Sequence, residues 1–118
     1  MVYTAEHYSL AVLEILANVD KSSILPSFSL CSVQFDDSLM ERLAPSLLPS
    51  NWRGSPPPPE LQKIGDDWLA SGSSVILAVP SVLVESEKNF LINPQHPDFP
   101  LISIDAPKPF TFDSRLVR

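Results

Sequence analysis

The sequence predicts an α+β fold: a compact single domain, residues 1–118, in which short strands surround a buried central helix. Three observations carry this. Val75-Ile76-Leu77-Ala78-Val79 is apolar at every position and rich in β-branched residues, the pattern of a strand buried on both faces. Residues 5–19 and 59–70 carry apolar side chains at helical spacing. The chain holds 13 prolines against 3 glycines, where ordinary usage is about 5% and about 7%, so many corners separate short elements.

Taken in order, residues 5–19 lack Gly and Pro and place Tyr8, Ala11, Val12, Ile15 and Val19 at i, i+3, i+4, i+7 and i+11. Leu10, Leu13, Leu16 and Ala17 widen that stripe nearly all the way round, which predicts burial on every side. Thr4 or Ser9 is placed to cap the start. Residues 28–35 read as one strand of mixed alternation, and residues 37–43 as a short helix begun by Asp36 or Asp37. A proline-rich connector follows over 45–59, with Trp52-Arg53 in its middle. Pro58 or Pro59 suits the first turn of the next helix. Leu61, Ile64, Trp68 and Leu69 give it a clear amphipathic stripe, and Gly72 marks its stop. Pro80 ends the buried strand because it has no N–H to donate. Phe90-Leu91-Ile92 is a second apolar strand, leading into a polar corner at Asn93-Pro94 and His96-Pro97. Residues 101–104 and 109–112 read as two further short strands.

Composition narrows the class. Hydrophobic residues make up 44% of 118 and charged residues 19%, enough for one core and too few charges for disorder. The formal net charge of -6 argues against direct nucleic-acid binding, which needs clustered Lys and Arg. Cys31 is the one cysteine, so no internal disulfide or Cys-based zinc cluster is possible, as befits a reducing, cytoplasmic setting. No signal peptide is visible, and the longest apolar run, broken at Pro80, falls short of the roughly 20 residues a membrane span requires.

Few residues stand out chemically. Glu14 lies among Val12, Leu13, Ile15 and Leu16, and a buried carboxylate needs a partner, a wet cleft or a raised pKa. It reads either as a partly exposed residue or one ion-paired to Arg53 or Arg115, or as a carboxylate held in a low-dielectric pocket to stabilise developing positive charge or act as a base. Ser81 follows the end of the buried strand. It reads as a turn cap or as a substrate hydrogen-bonding group, and without a G-x-S-x-G elbow serine-hydrolase chemistry is poorly supported. The spacing of His7 and His96 suggests no metal site, and His96 reads as a corner residue bonding to backbone. Gly54, Gly65 and Gly72 are too scattered for a phosphate loop. Tyr3 reads as an edge aromatic, and Trp52 and Trp68 as core or lid residues.

A series of short signatures is more specific than any one of them: Val2-Tyr3-Thr4-Ala5; Ser9-Leu10-Ala11-Val12-Leu13-Glu14; Leu48-Pro49 with Trp52; Ile64-Gly65-Asp66 with Trp68-Leu69; Val79-Pro80-Ser81; Asn89-Phe90-Leu91-Ile92-Asn93-Pro94 with His96-Pro97; and Phe112-Asp113-Ser114-Arg115-Leu116. In this order, from Val2 to Leu116, they resemble the RES domain, the toxin family of Xre–RES toxin–antitoxin modules. The resemblance implies an ADP-ribosyltransferase-like fold. It implies NAD as a substrate rather than a cofactor, cleaved at the nicotinamide–ribose bond, with ADP-ribose passed to phosphate, water or a protein. Glu14 and Ser81 stand where the family's glutamate and serine belong, and Tyr3 matches the tyrosine of V-Y-T-A. The implied roles are Glu14 against the developing ribosyl cation, Ser81 as a substrate hydrogen bond and Tyr3 beside the nicotinamide. Glu14 and Ser81 are expected to face one shared hollow. The implied partners are an Xre-type antitoxin and a second copy of the chain.

One departure from the family pattern matters. A G-G-R-W-N-like segment normally precedes V-Y-T-A and supplies an arginine suited to a pyrophosphate. Here Met1 stands directly before Val2, and Arg42, Arg53, Arg115 and Arg118 do not match that motif. The expectation is an N-terminally short form, and the rival to an enzyme is a catalytically inactive RES-like protein-interaction module.

Overall fold

A computed structural model of the chain describes residues 1–18 and 28–116. Eight strands and two helices alternate: β1 (Val2–Ala5), α1 (Tyr8–Asn18), β2 (Phe28–Leu30), β3 (Val33–Gln34), β4 (Met40–Arg42), α2 (Pro59–Ser71), β5 (Ile76–Pro80), β6 (Lys88–Ile92), β7 (Ser103–Ile104) and β8 (Lys108–Phe110). The mixed α+β class is as the sequence predicts.

The main sheet has the order β1-β6-β5-β4. β1 and β5 both pair antiparallel with β6, and β4 pairs parallel with β5. Residues opposite one another share a face. Ile76 and Ile92 therefore pack on one side, in a cluster with Val75 and Ile102 that Phe35, Phe90 and Phe99 border. Leu77 and Leu91 pack on the other, against Trp68 of α2. β5 is buried on both faces, as its unbroken apolar run requires. Its ladder stops at the Pro80–Lys88 pair, where proline's missing N–H ends regular pairing.

α2 matches its sequence signals. Proline opens it, and Gly72 closes it at φ 63, in the left-handed region, with its N–H returned to the Trp68 carbonyl. The Trp68 indole N–H donates to Ser74 Oγ at 2.9 Å. His96 holds the corner beyond β6: its Nε2 lies 3.0 Å from the Gly72 carbonyl oxygen and its Nδ1 accepts from the Asp98 N–H.

Five expectations are corrected. Residues 2–5 form a strand, so α1 begins at Tyr8 and Thr4 is no cap; its hydroxyl donates to the Phe90 carbonyl instead. α1 is not central. Only Leu10 of its described side chains is fully buried, while Tyr8 and Leu13 are exposed at 55% and 45%. The helix contacts edge strand β1, and Ala11, Val12, Ile15 and Leu16 are only half-buried. Residues 28–35 are two strands broken at Cys31-Ser32, because β2 pairs with β8 and β3 with β7 in separate ribbons. Asp36 does cap a turn, but a single 3₁₀ turn, Asp37–Leu39, after which the chain turns extended to pair with β5. Of the two late strands, Leu101 closes a 3₁₀ turn and β7 is confined to Ser103–Ile104. Val19, the last position of the predicted helical stripe, lies outside the described residues.

Candidate functional site

Edge strand β1 sets the site. Tyr3 pairs with Leu91 and shares its sheet face, yet 56% of the residue stays exposed because no strand lies beyond β1 in this sheet. It borders two cavities. The larger, about 440 Å³, opens between β1, the start of α1 and the segment 30–35; its walls include Glu6, His7, Tyr8, Cys31 and Phe90. The smaller, about 150 Å³, lies toward α2 and is apolar, walled by Trp52, Ile64, Gly65, Val79 and Leu91.

The phenol of Tyr3 is pushed up to about 12, first by removal from solvent and then by the negative charge of Glu14. The same shift places Glu14 within electrostatic reach of Tyr3. Glu14 stands four residues after buried Leu10 and so on the same face of α1. The ion-pair partners the sequence offered for Glu14 are engaged elsewhere: Arg53 with Glu85 at 3.1 Å and Arg115 with Asp113 at 2.9 Å.

Ser81 follows β5 directly and is completely buried. Its N–H donates to the Glu87 carbonyl at 2.9 Å, and its Oγ accepts from the N–H groups of Leu83 and Val84, both at 3.1 Å. This is the turn-cap geometry of the sequence reading. With both lone pairs taken, the hydroxyl hydrogen is what Ser81 has left to offer a ligand. Arg53 pins the same turn through Nε to the Val82 carbonyl, 2.9 Å. Neither Ser81 nor Glu14 lines either of the two cavities, so the hollow that the two were expected to share is neither of these; Glu14 reaches Tyr3 through its charge.

Sequence reasoning missed several polar groups here. Asn89 is fully buried; its amide donates to the Thr4 carbonyl while Oδ1 has no hydrogen-bond partner. Glu6 accepts from the Lys88 N–H at 2.9 Å, and Glu87 keeps a buried oxygen, Oε1, without a hydrogen-bond donor. Residues 6 and 87 are distant in sequence, and only the β1–β6 pairing joins them. The unbonded Asn89 oxygen leaves no trace in sequence spacing. Tyr8 spans the cavity mouth to bond Ser32. Among the described residues, no helix is long and apolar enough to cross a membrane.

Comparison with known proteins gives one consistent result. The RES domain profile matches residues 1–113. "Toxin Res" of Yersinia enterocolitica serotype O:8 / biotype 1B is 43% identical over 116 residues, covering 98% of this chain and 76% of that protein. "Toxin Res" of Photorhabdus laumondii subsp. laumondii is 36% identical over 118 residues, 99% and 76% of the two chains. "Prs ADP-ribosylating toxin" of Sphingobium sp. strain YBL2 is 31% identical over 121 residues, 100% and 75%. The mixed α+β architecture fits an ADP-ribosyltransferase-like description. By profile, by identity and by coverage, this chain belongs to the RES domain family.

Proposed function

We propose that this chain is a toxin domain that consumes NAD, breaking the nicotinamide–ribose bond and passing ADP-ribose to phosphate, water or a protein. The reading is carried by Tyr3, which borders a 440 Å³ cavity and feels the negative charge of Glu14. Breaking the bond between ribose C1′ and the pyridinium nitrogen sends the electron pair to nitrogen, which becomes neutral. An oxocarbenium-like cation remains on the ribose until a nucleophile adds at C1′. A carboxylate held close to that carbon favours the cationic state over the ground state. Glu14 fills that role. Tyr3, neutral across the physiological range, offers its ring and a hydroxyl donor on the nicotinamide side, next to the apolar 150 Å³ pocket. Ser81, buried and off both cavities, is proposed to hold the turn after β5 through the N–H groups of Leu83 and Val84. The antitoxin partner is proposed to be of the Xre type, and the chain to self-associate.

The test is to mix the protein with NAD and phosphate and measure free nicotinamide. Nicotinamide release is expected, and Glu14→Gln lowers its rate about a hundredfold or more. Release by Glu14→Gln at the parent rate overturns the assignment.

A second reading is favoured by one observation: among the described residues no Lys or Arg lines the 440 Å³ cavity, so none there meets a pyrophosphate. On that reading the chain is a non-catalytic interaction module. Antitoxin binding with no nicotinamide release would support it.

A further inference from the structure

We propose that Glu6, His7 and Glu87 form a binding site for a divalent transition ion of the Zn²⁺ type. The three lie where β1 ends and β6 begins. The pairing of Ala5 with Asn89 continues one step further, since the Glu6 N–H donates to the Lys88 carbonyl at 3.0 Å. This brings residues some 80 positions apart to one sheet end. One donor atom from each side chain lies within 4.8 Å of the other two.

Two independent features point to a cation. Glu87 Oε1 is shut off from solvent and receives no hydrogen bond, a costly state for a carboxylate oxygen unless something positive meets it. Two carboxylates also stand beside each other although, among the described residues, no Lys or Arg forms an ion pair with Glu6 or Glu87. The second shell is partly in place: the Lys88 N–H already holds Glu6 Oε1 at 2.9 Å, the kind of outer contact that orients a ligand.

The donor set selects the ion. One imidazole and two carboxylates match three-ligand zinc sites, which leave a fourth position for water. Ca²⁺ demands six to eight oxygens and Mg²⁺ near-octahedral oxygen coordination, and the cluster supplies neither. Bonds of about 2.0–2.2 Å put tetrahedral ligand atoms roughly 3.5 Å apart, so the cluster must close by about 1 Å. His7 is exposed and can turn that far, while Glu6 keeps its bond from the Lys88 N–H. Both also stand on the wall of the 440 Å³ cavity, which gives the fourth position access to solvent. The site does not depend on NAD chemistry.

The experiment is a titration of the full chain with Zn²⁺ against a chromogenic chelator at neutral pH, with Mg²⁺ in parallel. One Zn²⁺ per chain is expected and no competing Mg²⁺. Affinity falls at least about tenfold in His7→Ala and in Glu87→Gln, and stays unchanged in Cys31→Ser, which removes the one thiol. His7 is exposed, so His7→Ala leaves the fold intact and decides the matter should Glu87→Gln misfold. Imidazole NMR gives a second readout: His7 resonances shift with Zn²⁺, while those of His96, whose two ring nitrogens are engaged at a different corner, do not. Background-level binding by the parent protein, or binding undiminished in His7→Ala, overturns the proposal.

Discussion

The two sides of strand β6 contrast. Toward β5, every pair is closed: Ile76 and Ile92 on one face, Leu77 and Leu91 on the other, with Trp68 and Ile102 completing two clusters. Toward β1, the ladder is equally regular, but Val2 and Tyr3 are exposed, and of the described side chains of α1 only Leu10 is fully buried. Backbone pairing alone therefore does not build a core; a covered face does. The chain places its two buried apolar clusters on the first side and the perturbed tyrosine, with the Glu6 and His7 side chains, on the second. Rigid scaffold and reactive edge are joined by one strand.

The largest effect that tests this contrast is Ile76→Ala. The side chain is fully buried, and its loss should lower the unfolding free energy by about 2–5 kcal/mol in urea titration. A cost below about 1 kcal/mol would mean that the closed side is not the core. Next is Tyr3. Its folded-state phenol titrates near 12, above the ordinary 10. Between those values the unfolded chain has lost the proton and the folded chain keeps it, so stability should fall as pH rises from about 10 to 12. Tyr3→Phe should abolish that part of the fall. Glu14→Gln should bring the tyrosinate absorbance transition to lower pH, because one of the two causes of the shift is gone. An unmoved transition would separate Tyr3 from Glu14 and remove the basis of the proposed site. Gly72→Ala should cost about 1–2 kcal/mol, because the φ of 63 disfavours a side chain although nothing stands within 4 Å of the new methyl group. The smallest effect is expected for Leu13→Ala on the open side, within about 0.5 kcal/mol.

What the sequence made legible follows the same division. β5 and α2 were readable because composition and burial agree there: an unbroken β-branched run can be satisfied only between two covered faces, and the Pro59 and Gly72 signals are local. α1 was misread because periodicity counts apolar side chains and cannot say what lies against them; a helix on an edge strand looks the same as one in a core. β4 was hidden because Met40, Glu41 and Arg42 have no strand pattern of their own and become extended by pairing with Ile76, Leu77 and Ala78. At the candidate site, Tyr3, Glu14 and Ser81 were named from signatures, while Glu6, Glu87 and the buried Asn89 were not. Their environment is created by strand register, which no spacing in the chain records.

The bond from Thr4 to the Phe90 carbonyl spans 86 positions, and with it comes a consequence for biosynthesis. Tyr3 is translated well before its neighbour Leu91, which pairs with it across the sheet. Until then β1 has no strand to join, and the pocket beside it does not exist. The wall that Phe90 gives the larger cavity therefore forms only after β6 has been made and has met β1, so this edge of the sheet is among the long-range contacts that folding must close late.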